Sequence, residues 1–469
     1  MLQMAIAPPM NDKNALIQPD RDQAAVPIHL VDKTGLEQFV KGLSAPQRAA
    51  LAAQKFTGDG YSYAIVPDGD GWFVVSGVAN TESLSSWCMA KLAEVLPAGT
   101  YRRVGGEPGP ALYGWVTGQY RFDRYLAKPD EEGPRVLLTK DVGAIAPVLA
   151  EAEATALVRD LVNTPAEDMG PAQLEHEAQL LAKLHGAEFK VTHGDALERG
   201  FPMVHAVGRA AARSHAPRLI ELTWGDPKHP KLALVGKGVC FDSGGLDIKP
   251  SSGMLLMKKD MGGAAHALAL AALVMGQRLK VRLHLVIPAV ENAISGNAFR
   301  PGDVLRSRAG LSVEIGNTDA EGRLVLGDAL TRAGDEEPEL VIDFATLTGA
   351  ARVALGPDLP AMFARNDETA AELLAAGEAA DDRCWRLPLF DGYREYLKSD
   401  IADLNNSSSN GYAGASVAGL FLDRFVPERL DWIHFDTFAW RPAAKPGRPK
   451  GGDALGLRAA WGLLKARYG

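Results

Sequence analysis

Asn317-Thr-Asp-Ala-Glu-Gly-Arg-Leu324 places two acids, a glycine and an arginine close together, between the alternating apolar run Leu311-Ser-Val-Glu-Ile315 and a helix-like pattern. A strand-to-helix turn is predicted here, with Asp319, Glu321 and Arg323 projecting toward one side of a loop. Such a loop suits chemistry because a rigid scaffold holds it while its side chains stay accessible. The simpler interpretation is a solvated acidic turn in which Arg323 is a local salt-bridge partner, and both interpretations stand on this stretch alone.

Strand-like and helix-like segments alternate on both sides of this turn. Apolar strands are predicted at residues 218–224, 231–235, 281–288, 340–345 and 432–435. Ala- and Leu-rich helices are predicted at residues 262–275 and 322–333. Alternation of this kind favours a mixed, mainly parallel sheet flanked by helices, an α/β fold. Because ligands of open α/β sheets bind beyond the carboxyl ends of the strands, we expect the site there.

The first part of the chain is predicted to form a separate, smaller α/β domain. Residues 61–65 and 71–78 have the pattern of two strands joined by a Pro- and Gly-containing turn. A long Ala- and Glu-rich helix follows at residues 145–161, and the domain boundary is placed on it. We therefore expect an N-terminal α/β domain at 1–150, without clustered chemistry, and a larger catalytic domain at 151–469.

Composition and charge restrict the class of protein. The 469 residues are 46% hydrophobic and 23% charged, which is ordinary for a soluble globular protein. The formal net charge of −8 argues against nucleic acid as the main partner. The three cysteines lack CxxC spacing, so they indicate neither a disulfide framework nor a thiolate metal site. Residues 1–13 lack signal-peptide features and no run reaches transmembrane length, so a cytoplasmic protein without a membrane partner is expected.

Two further stretches supply charged residues beside predicted core segments. A glycine-rich loop after the strand at 231–235 carries Lys237, Asp242 and Lys249, while Asp260 directly precedes an apolar helix. A phosphate-binding loop is disfavoured because the GxxxxGK[ST] spacing is missing and acids repel phosphate. For Asp260, a helix cap is the commoner explanation, but the same position suits a metal ligand.

Together the three loops can bring Asp242, Asp260, Asp319 and Glu321 to one end of the sheet. Four carboxylates in a water-poor pocket need positive charge to neutralise them, and three flexible basic side chains are not obviously enough. A pair of divalent cations meets this need and can activate one water for hydrolysis. Oxygen ligands fit magnesium, manganese or zinc, and ligand type alone does not choose among them.

The sequence resembles the leucyl aminopeptidases, also called cytosol aminopeptidases, which are dinuclear metallo-exopeptidases. The octapeptide Asn317–Leu324 is that family's signature. Four further blocks occur in the expected order, namely V-G-K-G-V-C-F-D-S-G-G-L-D-I-K-P, M-K-K-D-M-G-G-A-A, N-A-F-R-P-G-D-V and D-F-A-T-L-T-G-A-A-R-V-A-L-G. The resemblance covers Asn163 to the carboxyl end well and the N-terminal domain only weakly, chiefly through Gly118-Gln-Tyr-Arg-Phe-Asp123.

The resemblance implies removal of the N-terminal residue from peptides with a free amino terminus, by a water that two metal ions activate. One ion is implied to bind Asp242, Asp319 and Glu321, with the Asp319 main-chain carbonyl as a further ligand. The second is implied to bind Lys237, Asp242, Asp260 and Glu321. The ions are expected to be zinc or manganese, with magnesium as an alternative in the exchangeable site. A lysine ligand must be neutral, which adjacent cations can enforce.

The resemblance also implies roles for other side chains. Lys249 stabilises the developing gem-diolate, and Arg323 holds a bicarbonate ion that acts as general base. The substrate amine is implied to bind the second metal and Asp260, which explains exopeptidase action. An apolar pocket that favours Leu- or Met-like residues is implied by the matching positions Met257, Asn317, Thr346, Leu347 and Gly349.

The chain departs from the family pattern at two places near the expected pocket floor. Ala415-Ser-Val-Ala-Gly-Leu420 lacks the usual threonine, and Asp436-Thr-Phe-Ala439 replaces the usual Asp-Ile-Ala-Gly. Substrate preference is the property that these departures affect, whereas the metal chemistry is retained.

Assembly and alternative functions complete the expectations. The resemblance implies a homohexamer, a dimer of trimers. One alternative is an aminopeptidase that also acts as a DNA-binding regulator. A catalytically dead scaffold is disfavoured because all seven predicted metal and catalytic residues are present. The remaining alternative is a hydrolase of another substrate class, such as a phosphoesterase, that uses the same metal pair.

Overall fold

The chain divides into two compact units. The computed structural model describes residues 16–128, 133–408 and 410–469. The first unit extends to Ala156 and includes Ala443–Lys450, and the second comprises Leu157–Pro442 and Gly451–Gly469. Residues 1–13, on which the expectation of no signal peptide rests, lie outside the described residues. Across the described ranges, no helix is both long and apolar enough to span a membrane.

The first unit is built on a six-stranded sheet. Its elements are β1 Ile17–Pro19, β2 Val26–Val31, β3 Tyr63–Asp68, β4 Gly71–Gly77, β5 Gly99–Val104, β6 Arg135–Thr139, α1 Leu36–Lys41, α2 Ala45–Ala53, α3 Ala90–Val95 and α4 Ala111–Thr117. The helix α5 Ile145–Asn163 begins in this unit and ends in the second. The strand order is β1-β6-β5-β2-β4-β3, with β3 antiparallel to β4 and the other pairs parallel. Separate apolar cores form around Trp115 and Tyr101 and around Val66 and Phe73.

The second unit contains the larger, nine-stranded sheet. Its strands, with those of two small accessory sheets, are β7 Glu188–His193, β8 Arg218–Trp224, β9 Lys231–Gly236, β10 Gly238–Asp242, β11 Arg282–Asn292, β12 Val304–Arg306, β13 Ser312–Glu314, β14 Leu340–Ala345, β15 Ala361–Ala364, β16 Trp385–Arg386, β17 Leu404–Asn405, β18 Asp431–Asp436, β19 Trp440–Arg441 and β20 Gly451–Gly452. Its remaining helices are α6 Pro171–His185, α7 Gly194–Gly200, α8 Pro202–Gly208, α9 Ser251–Met254, α10 Gly262–Gly276, α11 Glu321–Gly334, α12 Gly349–Leu355, α13 Asp367–Ala379, α14 Gly414–Asp423 and α15 Leu457–Tyr468.

The predicted mixed, mainly parallel sheet flanked by helices is confirmed. The strand order is β16-β15-β18-β14-β9-β11-β8-β7, with β10 paired to β11. Successive side chains of a strand point to opposite faces, so each face carries its own helices. On one face His266 of α10 stacks on Phe344 of β14, and on the other α11 packs with Val341 and Ala345.

The carboxyl ends of the central strands meet at one edge of this sheet. β18, β14, β9 and β11 run parallel to one another, and β10 is parallel to β11. Asp436, Asn292 and Asp242 end three of these strands, and Thr346 and Lys237 follow the other two. The fold therefore concentrates polar side chains where the topology predicts a site.

Two local predictions differ from the structure at this edge. The glycine-rich stretch was predicted as a loop from residue 236 onward, but it contains β10, and β11 continues to Asn292 instead of ending at residue 288. The reason is that Gly238 and Val239 pair in parallel with Ala289 and Val290. Asp242 consequently lies at the end of a strand.

An ionic network crosses the sheet at the buried Glu221 of β8. Its carboxylate accepts a hydrogen bond from Arg332 Nε at 2.8 Å, and His284 Nε2 and Lys190 Nζ lie 3.2 and 3.3 Å from its oxygens. Burial alone would raise the pKa of Glu221, but the hydrogen bond from His284 and the charge of Arg332 hold it at about 2.

Replacement of Glu221 by glutamine is expected to lower the free energy of unfolding at pH 7 by about 2 kcal/mol. Because the pKa is lower in the folded state than its ordinary value of 4.5, this stabilisation is present above pH 4.5 and is lost as the pH falls toward 2. Urea unfolding of both proteins between pH 7 and pH 3 measures the difference. The half-exposed Glu336 is the control, and its glutamine variant should change stability by less than about 0.5 kcal/mol. If the difference in unfolding free energy between the wild type and Glu221→Gln stays constant down to pH 3, the pKa of Glu221 is not lowered by folding in this way.

Candidate active site

Three carboxylates converge at the edge where the parallel strands end. Asp242 ends β10, Asp319 lies in the turn before α11, and Glu321 is the first residue of α11. One carboxylate oxygen of each lies within 4.8 Å of those of the other two. Asp242 and Glu321 are buried and Asp319 is partly exposed. The opening octapeptide thus forms the predicted strand-to-helix turn, with its two acids beside an acid from another loop.

Two lysines connect these acids with each other and with Asp260. Lys237 Nζ lies 2.6 Å from Asp260 Oδ2 and 2.9 Å from Glu321 Oε1. Lys249 Nζ lies 2.7 Å from Asp242 Oδ2 and also contacts Asp319. All five residues predicted to bind metal are therefore brought together, along with Lys249.

The electrostatics of the cluster reflect an excess of buried negative charge. Burial and the neighbouring Asp242 raise the pKa of Glu321 to about 8 and that of Asp319 to about 6. Glu321 Oε2 is buried and accepts no hydrogen bond. A buried oxygen without a donor is costly unless a cation offsets it, so this donor set fits divalent ions that prefer oxygen ligands.

Lys237 is an ammonium in this arrangement. Burial disfavours its charge, but Asp260 and Glu321 raise its pKa above the usual range. Its role as a neutral metal ligand stays a prediction, and it requires loss of this proton when a metal binds. The close approach of α11 to this lysine depends on Gly322, where a Cβ would lie 2.5 Å from Lys237 Cε.

Neighbouring polar residues fix the position of the acids, and the sequence did not single out two of them, Asn292 and Thr318. Asn292 Nδ2 donates to Asp242 Oδ1 at 2.8 Å and to the main-chain oxygen of Thr318 at 3.1 Å. Thr318 Oγ1 donates to the carbonyl oxygen of Gly244 at 2.6 Å, and its main-chain NH donates to Asp247 at 2.8 Å. The available signal for Asn292 was a polar residue shortly after a predicted core strand.

Arg323 is not the salt-bridge partner of the acidic turn. Its Nη1 donates to the main-chain oxygen of Asn406 at 2.6 Å, and its buried Nε has no hydrogen-bond partner. No ion pair of the described residues includes it. Burial lowers its pKa to about 10, so the guanidinium stays charged at neutral pH. It therefore presents at the cavity a positive group without an ion-pair partner.

A cavity of about 540 Å³ lies over the acids, lysines and Arg323. The residues predicted to contact substrate all line it: Met257, Asn317, Thr346, Leu347 and Gly349. Three further residues, Lys259, Arg352 and Phe438, line it as well. Phe438 belongs to the noted departure from the family pattern, whereas the two cations were not singled out. Lys259 is 5% exposed, and burial lowers its pKa to about 8.

Another cavity of the second unit, of about 640 Å³, has a different character. Most of its charged lining residues pair with one another, as Asp423 Oδ1 and Oδ2 lie 2.6 and 2.7 Å from Arg365 and Arg394. These charged side chains therefore serve to hold one another in place. The acid-rich cavity is the better candidate for catalysis.

Comparison with known proteins identifies the same architecture in aminopeptidases. The model of the cytosol aminopeptidase family catalytic domain matches residues 156–460, and that of the M17 aminopeptidase N-terminal domain matches residues 26–138. A probable cytosol aminopeptidase of Syntrophotalea carbinolica is 44% identical over 369 residues, which are 75% of this chain and 73% of that protein. Peptidase B of an Enterobacter species is 44% identical over 320 residues, which are 66% of this chain and 74% of that protein.

Solved structures agree over nearly the whole chain. The crystal structure of cytosol aminopeptidase from Coxiella burnetii superposes with a TM-score of 0.91 at 45% identity and covers 97% of this chain and 100% of that one. The bottromycin maturation enzyme BotP in complex with Mn gives a TM-score of 0.85 at 34% identity, and the match covers 95% of this chain and 99% of that one.

Proposed function

The chain belongs to the cytosol aminopeptidase family, so it is a metal-dependent aminopeptidase. We propose that two divalent ions bind in the acid-rich cavity, where their ligands are Lys237 and the carboxylates of Asp242, Asp260, Asp319 and Glu321. The three carboxylate oxygens within 4.8 Å of one another carry this proposal, together with the unpartnered Glu321 Oε2. Two such ions supply an activated water and polarise the scissile carbonyl. The manganese complex of BotP supports manganese, with zinc and, in one site, magnesium as alternatives.

The chain's own side chains orient the substrate and stabilise charge. Asp260 binds the α-amine of the first residue, which restricts cleavage to the amino terminus. Lys249 stabilises the negative charge that develops on the carbonyl oxygen. Arg323 would hold a bicarbonate ion, which would supply the general base for the attacking water. Met257 and its neighbours give the pocket an apolar wall that accepts Leu- or Met-like side chains.

The test of this function is a panel of aminoacyl p-nitroanilides with N-acetylated twins. We expect the manganese-supplied protein to hydrolyse leucyl and methionyl p-nitroanilides. It should hydrolyse their N-acetylated counterparts at least about 10³-fold more slowly. Thorough chelation should abolish hydrolysis, and manganese should restore it. Cleavage of acetylated substrates, or activity that persists after metal removal, would rule out the proposal.

Replacement of Arg323 by methionine is expected to lower kcat about 100-fold, because the general base loses its binding site. In carbon-dioxide-free buffer the wild type should be stimulated by bicarbonate, whereas the variant should not respond. Initial rates over a bicarbonate titration measure both effects, with chloride at equal ionic strength as the control. Equal stimulation of wild type and variant would remove Arg323 from this role.

Assembly and location follow the family in our proposal. A homohexamer, a dimer of trimers, is supported by large apolar side chains exposed on the second unit, among them Val353, Trp385, Ile401 and Tyr412. Light scattering should give a molar mass six times that of the chain. The names of the relatives support a cytoplasmic location. Nucleic acid is not proposed as a partner because the chain carries a net charge of −8.

A further inference from the structure

Asn406 is a fully buried residue that lies against the turn formed by the octapeptide. The parallel pairing of β13 with β17 places Asn406, the residue after β17, beside the residues that follow β13. The main-chain NH of Asn406 donates to the carbonyl oxygen of Glu314 at 3.0 Å. A residue that is distant in sequence therefore contacts the start of the turn that carries Asp319, Glu321 and Arg323.

The side-chain amide of Asn406 uses its whole hydrogen-bonding capacity on this turn. Its Oδ1 accepts the main-chain NH groups of Gly316 and Asn317 at 2.8 and 3.2 Å. Its Nδ2 donates to the carbonyl oxygens of Asn317 and Ala320 at 2.8 and 3.3 Å. A primary amide offers both donors and acceptors, whereas a carboxylate of the same shape lacks the donors and a leucine side chain lacks both. We call these side-chain hydrogen bonds the Asn406 clamp.

The clamp fixes the positions of the two acids of the octapeptide. Asn317, which the clamp holds by its NH and its carbonyl group, accepts the main-chain NH of Asp319 on its own Oδ1 at 2.7 Å. This Asx turn determines the direction of the chain at Asp319. Ala320, whose carbonyl oxygen the clamp also binds, directly precedes Glu321 and α11.

The main-chain carbonyl of the same residue orients Arg323. Arg323 Nη1 donates to the Asn406 carbonyl oxygen at 2.6 Å, and this is the one hydrogen bond of the guanidinium in the described part of the chain. A carbonyl group orients a guanidinium without neutralising its charge, whereas a carboxylate would form an ion pair with it. The remaining donors, including the buried Nε, stay available for a planar anion in the cavity.

We propose that Asn406 is a positioning residue for the aminopeptidase reaction. Its side chain fixes the octapeptide turn and its carbonyl group orients Arg323, so the bicarbonate site keeps a fixed place relative to the metal ligands. This inference rests on the proposed function. Asn406 does not line the cavity, so it acts through Arg323 and Asn317. Without the clamp the turn shifts, and a displacement of about 1 Å at a catalytic group can lower a rate about 100-fold.

Replacement of Asn406 by alanine tests the clamp, because it removes the side-chain hydrogen bonds and retains the main-chain carbonyl. At saturating manganese we expect kcat for leucyl p-nitroanilide to fall about 10- to 100-fold, with KM within about twofold of the wild-type value. The bicarbonate concentration for half-maximal stimulation should rise about 10-fold. Manganese-induced relaxation of ¹³C-bicarbonate measures the same loss of affinity without turnover, and Arg323→Met is the reference for a lost site.

Asn366→Ala is the matched control for a general loss of stability. The Asn366 side chain accepts the main-chain NH groups of Glu368 and Thr369 at 2.8 and 3.2 Å at the start of α13, and it does not line the cavity. Loss of this cap should lower the melting temperature. Its kcat, KM and bicarbonate affinity should stay at the wild-type values. Equal kinetic changes in the Asn366 and Asn406 variants would identify Asn406 as a stabilising residue only and would overturn the inference.

A second variant and the manganese dependence complete the test. Asn406→Ser keeps a short polar group and should show the same changes to a smaller extent, so it replaces Asn406→Ala if that variant does not fold. Wild-type bicarbonate affinity in the Asn406 variants, with metal-dependent hydrolysis intact, overturns the inference alone. Recovery of full kcat at high manganese also overturns it, because Asn406 would then serve metal binding only. Absence of hydrolysis of every substrate by the wild type overturns the inference together with the proposed function.

Discussion

Replacement of Glu321 by glutamine is expected to lower kcat/KM for leucyl p-nitroanilide at least about 10³-fold, since a lost ion forfeits several kcal/mol of transition-state stabilisation. Glu321 has one oxygen beside Lys237, and its other oxygen is buried without a donor. The amide keeps the shape of the side chain but lacks the negative charge that we propose holds two cations. Metal content should therefore fall along with activity.

The same replacement is expected to stabilise the metal-free protein or leave its stability unchanged. Burial and the neighbouring Asp242 disfavour a charge on Glu321, so its removal relieves repulsion within the folded cluster. Elemental analysis, steady-state kinetics and melting temperature with and without manganese measure the three effects. Glu336→Gln is the control, because its half-exposed carboxylate pairs with Arg332 outside the cavity. A variant with two bound ions and wild-type kcat/KM would contradict the role of Glu321.

Replacement of Lys249 by methionine is expected to lower kcat about 10²- to 10³-fold, as does removal of one donor from a site that stabilises an oxyanion. KM should change little, because in the proposed binding mode the amine and the first side chain of the substrate bind elsewhere in the cavity. Lys249 contacts Asp242 and Asp319 in the structure, so its role could also lie in positioning these acids.

Metal content distinguishes the two roles of Lys249. Elemental analysis should find the same number of ions in Lys249→Met as in the wild type, and the loss should appear in kcat. Lys258→Met serves as the control, since its ammonium lies outside the cavity and its kinetics should match the wild type. A variant that loses metal but recovers full kcat at high manganese would identify a positioning role instead.

The central architecture was predictable because its signals are local. The strands β9, β14 and β18 are short apolar runs, and α10 and α11 have the apolar spacing of helices, so periodicity located each within one or two residues. β10 was not predictable, because its glycine-rich sequence favours a loop and its strand geometry comes from pairing with β11. Parallel pairing of residues about 50 positions apart leaves no mark in a local window.

The candidate site was predictable to the extent that its residues share a loop. Asp319 and Glu321 lie within one turn, and their chemistry is visible in the sequence. The unpaired state of Arg323 depends on Asn406, more than 80 residues away, which supplies a carbonyl where a carboxylate would have made a salt bridge. Lys259 and Phe438 are likewise joined by the fold alone. Contacts of this kind follow from tertiary packing, which spacing and composition do not encode.

The most direct test of the two-metal centre is a titration of metal-free protein with manganese, in which bound ions per chain and leucyl p-nitroanilide hydrolysis are followed together. We predict two bound ions per chain, with hydrolysis appearing as both sites fill. The Glu321→Gln variant should fail to bind the second ion. Full activity in the metal-free protein, or saturation with one ion in the wild type, would contradict the account.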